Sequence, residues 1–245
     1  MKVASLRSGS RDGRLALVSS DLTLCTDAVF LAGNLQAALD DWTRLSPHLE
    51  ALSESLLHGA VPSGRFHEHD ALAPLPRAYQ HQGPGGLGMS GGFSAARDAL
   101  AANSGSVIQT GFAVITGDVP QGADRSTAAG LAALIMLAAG SEPDWAFSPT
   151  AVTPGELGNA WDNGSLTLKV SASHNGKVLP SDALTVDFAS LIAAAARHRP
   201  LGAGTVIRAQ AGPSITLTAG DTMRLAAKDA RGQTIFGAIE KQAAG

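Results

Sequence analysis

Val107-Ile108-Gln109-Thr110-Gly111-Phe112-Ala113-Val114-Ile115-Thr116, ended by Gly117-Asp118-Val119-Pro120, is the strongest strand signal in the chain. β-Branched and aromatic residues fill it, and the glycine and proline that follow stop it. Further on, residues 124–139 have the length and the alanine and leucine content of a buried helix. Leu166, Leu168 and Val170 alternate, Asn175-Gly176 supplies a turn, and Val178 resumes, which predicts a hairpin. Asp187 caps a helix whose buried face is Phe188, Leu191, Ile192 and Ala195, stopped by Pro200 and Gly202. Short strands follow at Thr205 to Ile207, Ile215 to Leu217, Met223 to Ala227 and Thr234 to Ile239, separated by glycine turns. A strand-rich, mostly antiparallel region carrying two helices is an α+β fold.

Towards the N-terminus, apolar patterning lapses from Ala60 to Ser106, around Pro74-Leu75-Pro76 and the glycine cluster Gly83-Pro84-Gly85-Gly86-Leu87-Gly88. Such a stretch is a domain boundary, a mobile loop, or a region from which something is missing. Before it, Ser46 as N-cap, Pro47 at the first helical position, Leu49, Leu52 and Leu56 on one face, and Gly59 past the end predict a helix. Leu35, Ala38, Leu39 and Trp42 share one face of another, starting at Asn34. Val3 and Leu6 face Leu15 and Leu17 across Asp12-Gly13, a hairpin signal, and residues 22–25 add a third short strand. The division is residues 1–72 as a small N-terminal domain, 73–106 as linker and glycine-rich loop, and 107–245 as the larger domain.

At 245 residues and 44% hydrophobic content, both one large domain and two small ones are compatible with the length. The formal charge is -3 and the basic residues are scattered, which argues against a nucleic-acid partner. Cys25 is the only cysteine, so an intrachain disulfide and a thiolate metal cluster are excluded. The N-terminus has no apolar run of signal-peptide length, and Leu131 to Ala139 is too short to span a bilayer, so a cytoplasmic protein without membrane contact is expected.

The densest polar cluster is His67-Glu68-His69-Asp70. In an extended strand its two imidazoles would share a face and meet one Zn2+ or Ni2+, but two ligands do not make a site, and a solvated charged loop is the preferred reading. His58 reads as a helix cap, while His174 and His198 read as surface residues. Ser5, Ser90 and Ser148 have no nucleophile-elbow context. Glu240 stands at a strand end beside Lys241 and reads as a surface ion pair.

Four stretches in order carry a resemblance: Pro74-Leu75-Pro76-Arg77-Ala78-Tyr79-Gln80; Ala113-Val114-Ile115-Thr116-Gly117-Asp118-Val119-Pro120; Ala146-Phe147-Ser148-Pro149-Thr150-Ala151-Val152-Thr153-Pro154; and Ile235-Phe236-Gly237-Ala238-Ile239-Glu240. With Leu201-Gly202-Ala203-Gly204-Thr205 between them, the chain resembles bacterial fumarylacetoacetate hydrolase-like proteins over nearly its whole length. The resemblance implies a small N-terminal α+β domain and a mixed β-sheet roll that commonly dimerises. It also implies a Mg2+ or Mn2+ ion that chelates keto-acid oxygens and stabilises an enolate, with a His-Glu pair activating water.

Departures from the family pattern are concentrated in that site. The family's two strand glutamates match Gln109 and Gly111, and its aspartate matches Gly140, so all three metal carboxylates are absent and no cofactor is expected. The segment bearing the catalytic histidine after Gln80 is missing, and Glu142 stands where the family has a substrate-side lysine. The resemblance therefore implies a pseudoenzyme that binds or scaffolds, as a homodimer or as a heteromer with an active family member. A metal-independent enzyme acting on a keto acid or aromatic metabolite is the alternative, watched for at Arg77, Tyr79, His81 and Gln109; a small-organic-acid binder without turnover is the third. Restoring carboxylates at 109, 111 and 140 is expected to rebuild a metal shell without restoring turnover.

Overall fold

The computed structural model describes residues 1–83, 86–101, 106–229 and 231–244. The N-terminal part runs β1 (Lys2–Leu6), β2 (Arg14–Val18), β3 (Leu24–Asp27), α1 (Leu35–Leu39), α2 (Trp42–Leu57) and β4 (Gly64–Arg65). Next come β5 (Arg77–Gly83), β6 (Gly86–Gly92), β7 (Leu100–Ala101), β8 (Ser106–Thr116), α3 (Arg125–Ala129), β9 (Ala132–Ser141), β10 (Asp144–Phe147) and β11 (Ala151–Val152). The chain closes with β12 (Trp161–Asp162), β13 (Ser165–His174), β14 (Lys177–Val178), β15 (Ala183–Asp187), α4 (Phe188–Ala195), β16 (Val206–Gln210), β17 (Ile215–Leu217), β18 (Thr222–Lys228) and β19 (Thr234–Ala244). The expected α+β class is the one observed.

The large sheet has the order β4-β3-β2-β1-β11-β9-β8-β16-β5-β6, with β10 on β9 and β17 on β8. A second sheet runs β12-β13-β18-β19-β7, with β14 and β15 on β13. Pairing between these strands is antiparallel except for β16 with β5 and β19 with β7. The N-terminal strands thus join the large sheet directly, where β1 pairs with β11 (Lys2 with Val152).

β8 and β9 lie at the centre and are packed on both faces. Ile108, Phe112 and Val114 of β8, with Ile135 and Leu137 of β9, point into the core shared with the second sheet. Ala113 and Ile115, with Leu134, Met136 and Ala138, point into another core covered by Leu35 and Leu39 of α1 and Leu45 and Leu49 of α2. This two-sided burial explains why residues 132–139 form a strand and not the expected helix, of which only α3 exists. A strand buried on both faces needs no polar alternation, and pairing with β8, β10 and β11 overrides the helical preference of alanine, leucine and methionine.

Several local signals elsewhere read correctly, although Trp42, expected on the helix that starts at Asn34, begins the next one. Asn34 Oδ1 accepts from the Ala37 N–H at 2.9 Å and Asp187 Oδ1 from the Ser190 N–H at 3.0 Å, so both caps are made. Asn175 (φ 49) and Gly176 (φ 78) form the turn between β13 and β14. The helix expected to start at Ser46 begins one turn earlier, at Trp42, and encloses Pro47. Buried Leu45 and Leu49 hold the first turns against the sheet, and that burial outweighs the single hydrogen bond proline cannot make.

The lapse between Ala60 and Ser106 is not a structureless connection. β5 and β6 form an antiparallel hairpin, and β5 is attached in parallel to β16. Backbone pairing suffices for such a glycine-rich ribbon, so it leaves no apolar pattern to read; Pro84 and Gly85 of the glycine cluster fall outside the described residues. Two other resembling stretches meet where the Thr150 N–H donates to the Phe236 carbonyl, with Gly237 (φ 78) packed so close to Pro149 that a Cβ would stand 2.4 Å from its ring. No helix among the described residues is long and apolar enough to cross a membrane.

Candidate functional site

Gln109 and Gly111 lie on the face of β8 that Ala113 and Ile115 share, and Gln109 pairs directly with Gly140 of β9. The three positions expected to have lost carboxylates are therefore neighbours. Two of them have no room for any side chain. A Cβ on Gly111 would stand 2.1 Å from the Ala209 carbonyl oxygen, and one on Gly140 would stand 2.2 Å from that of Asp144. Backbone fills the space where the carboxylates would have to pass.

The polar group next to these glycines is Arg208, which the sequence reading missed. Its strand, β16, is fixed by a set of hydrogen bonds at its entry: the Thr116 N–H donates to the Thr205 carbonyl, the Ala203 N–H to Asp118 at 2.9 Å, and Gln80 Oε1 accepts from both Thr205 Oγ1 and the Gly202 N–H. From there Val206 points into the inner core, and two residues on Arg208 points to the same side. That parity, in the run Val206-Ile207-Arg208, was a legible sign of an inward-facing cation. Only 3% of the Arg208 side chain is exposed. Its guanidinium lies over the Trp145 ring, 4.3 Å from Cζ to the centroid, and Trp145 is the residue paired with Gly140.

Glu142 sits in the turn between β9 and β10 and accepts a hydrogen bond from Arg208 Nη2, while 58% of its own side chain remains exposed. Its negative charge is thus matched within the protein. On the other side Gly83 lets the guanidinium pass, since a Cβ there would stand 2.3 Å from Nη2. His81 on β5 lies opposite Val206 and makes an edge contact with Phe93, 6.0 Å between ring centroids. The atoms His81 Nδ1, Trp145 Nε1 and Arg208 Nε are buried and unpartnered among the described residues.

Arg77 and Tyr79 do not join this group by any contact. Arg77 makes a two-point ion pair with Asp12 (2.5 and 2.8 Å), tying the β1–β2 loop to β5, and Tyr79 is 66% exposed. His67 precedes and His69 lies within a 3-10 turn, not an extended strand; their rings lie 5.4 Å apart on the surface, Glu68 is turned to Arg97 and His69 to Asp70. Ser5 and Ser148 are buried and bond backbone carbonyls. Glu240 lies within β19 and pairs with Arg97 and Arg224.

A Mg2+ or Mn2+ ion does not fit these residues. It requires several oxygen ligands and net negative charge, whereas this corner offers one neutral amide at Gln109, one carboxylate already paired at Glu142, and a guanidinium. Among the described residues no three His, Cys, Asp or Glu side chains are grouped to hold a metal ion.

Burial, reinforced by the charge of Arg208 and opposed by Glu142, pushes the His81 pKa below the ordinary imidazole value. His81 is therefore neutral at neutral pH. Protonation is disfavoured in the folded state, so stability is unaffected above the ordinary imidazole pKa, falls as pH drops below it, and levels off below the lowered folded value. An NMR titration of the His81 ring is expected to give a midpoint below the ordinary imidazole value, moving up in Arg208→Met and further down in Glu142→Gln. An unchanged midpoint in both variants would break the link between His81 and the ion pair.

Residues 1–77 match the family model for fumarylacetoacetase N-terminal domain 2. No curated protein matches the sequence. Among solved structures, the maleylpyruvate hydrolase of Sphingobium sp. SYK-6, in a complex with manganese(II) and pyruvate, is 17% identical with a TM-score of 0.74, over 100% of both chains. The fumarylacetoacetate hydrolase of Exiguobacterium antarcticum is 16% identical (TM-score 0.67; 100% of this chain and 99% of that one). The 2-hydroxyhepta-2,4-diene-1,7-dioate isomerase of Mycobacterium marinum is 13% identical (TM-score 0.62; 100% and 98%). The N-terminal residues thus match the fumarylacetoacetase N-terminal domain, and the chain shares from end to end the fold of structures named as maleylpyruvate hydrolase and fumarylacetoacetate hydrolase.

Proposed function

We propose that this protein is a non-catalytic member of the fumarylacetoacetate hydrolase-like superfamily that acts by binding, as a homodimer or as a partner of an active relative. One observation supports the reading: the Ala209 and Asp144 carbonyls occupy the space into which side chains at Gly111 and Gly140, the positions that the resemblance matches to metal carboxylates, would have to extend. Arg208 adds positive charge to a corner that a divalent cation would need to be negative. The resemblance assigns enolate stabilisation to a metal ion, and the described residues of this corner offer no carboxylate shell to hold one.

Calorimetric titration with Mg2+ and Mn2+ is expected to give no saturable heat, and acylpyruvates are expected to yield no product. A one-site isotherm of micromolar affinity would sink the reading. A second reading, small-organic-acid binding without turnover, is favoured by the unpartnered Arg208 Nε beside a neutral His81. Turnover of a keto acid that persists in the presence of chelators would instead support a metal-independent enzyme.

A further inference from the structure

A guanidinium presents N–H groups in a planar fork that matches a carboxylate on two nitrogens at once. Arg208 uses this capacity incompletely: Nη2 donates to Glu142, while Nε has no partner among the described residues. The two halves of the pair differ sharply in environment. The Arg208 side chain is 3% exposed, held between the Trp145 ring and the Gly83 backbone, so it has nowhere to go; Glu142 is 58% exposed and projects from a turn. Removing Glu142 from the pair returns its carboxylate to water, whereas Arg208 left alone would be a buried charge without a counterion. The cation is thus a fixed part of the fold and the carboxylate a replaceable one.

We infer that Arg208 is a receptor for a small carboxylate anion, and that Glu142 is its tethered occupant, displaced when the ligand binds. The ligand carboxylate takes the guanidinium fork, including the Nε–H that Glu142 leaves unused. The unpartnered Trp145 Nε1–H and the neutral His81 ring supply further polar atoms at the same corner. Tethering gives Glu142 a high effective concentration, so native protein binds a free carboxylate only weakly, and any change that lifts the turn at Glu142 raises the affinity. This inference deepens the binding role proposed above and rests on it.

Acetate and pyruvate, with chloride as the ionic-strength control, are titrated into native protein, Glu142→Ala and Glu142→Gln, and into each of these combined with Arg208→Lys. The Trp145 indole N–H and the Arg208 Nε–H are followed by NMR, with thermal shift in parallel. Both single variants are expected to bind acetate and pyruvate at least tenfold more tightly than native protein and to move both resonances, and the added Arg208→Lys is expected to abolish the gain. Equal affinity in native protein and both Glu142 variants, or a gain that survives Arg208→Lys, overturns the inference. Flat carboxylate titrations together with no metal heat and no turnover would remove the receptor while leaving the non-catalytic reading in place. A metal isotherm would remove that reading whatever the carboxylates do.

Discussion

Gly111→Glu and Gly140→Asp are each expected to cost about 4 kcal/mol or more, in the range reserved for severe overpacking with backbone displacement. The obstacle is backbone and not a flexible side chain. The Ala209 and Asp144 carbonyl oxygens stand 2.1 and 2.2 Å from the new Cβ atoms, roughly an ångström inside contact distance, and both belong to strands paired with the one being altered. For a chain of this size that loss lowers Tm by roughly 10 °C. Gly111→Ala should show most of the same loss, because the first carbon already collides, while Gln109→Glu should stay within about 1 kcal/mol of the parent. The expectation from sequence that carboxylates at 109, 111 and 140 would rebuild a metal shell is revised on this ground: the shell has no space to form. Thermal unfolding with and without Mg2+ checks it. A Gly111→Glu protein that keeps the parent Tm and gains stability on adding Mg2+ would show that the strands can part.

Truncating the two partners of the ion pair should have unequal consequences. Glu142→Ala leaves the Arg208 guanidinium buried without its counterion, a change that costs about 3–5 kcal/mol in a fully buried pair. Because Glu142 is 58% exposed and water can follow it in, about 2 kcal/mol is expected here. Arg208→Met removes the buried charge itself and keeps an apolar chain against Trp145, and Glu142 returns to solvent, so this variant should fall within about 1 kcal/mol of the parent. Urea unfolding of the pair measures both. Equal losses would mean that the two charges are equally buried in solution, and a larger loss for Arg208→Met would mean that stacking on Trp145 outweighs the electrostatic cost.

The parts of the fold legible in sequence were those set by short-range chemistry. Asn175-Gly176, the Asn34 and Asp187 caps and the alternation of Leu166, Leu168 and Val170 each depend on a few adjacent residues, and each stands where expected. β9 was misread because its identity comes from its neighbours: β8 on one side, β10 and β11 on the other, and a core on each face. The β5–β6 hairpin was missed because pairing by backbone leaves no side-chain signature. At the site, the resemblance identified Gln109, Gly111 and Gly140, which are neighbours in space, but the closing of the latter two by carbonyl oxygens depends on how β16 and β10 approach them. Arg208 was overlooked because a single arginine in a short strand looks like a surface residue until the inward-facing Val206 fixes its side.

The pairing of β1 with β11 also determines when the chain can fold as it is made. Lys2 meets Val152 across 150 residues of sequence, and at about 5–20 residues per second a ribosome takes roughly 8–30 s to deliver the partner strand. Throughout that interval β1, whose five residues are all buried in the finished protein, has β2 on one edge; on the other only its far end is covered, where the Leu72 N–H donates to the Ser5 carbonyl, while the Lys2–Val3 end waits for its partner. An uncovered apolar edge is a template for pairing with any other strand nearby, including the same edge on a neighbouring nascent chain. The segment that ends at residue 77 matches a family of its own in sequence, yet its first strand is completed only by residues synthesised long afterwards, and part of its edge stays open to pairing until Val152 arrives.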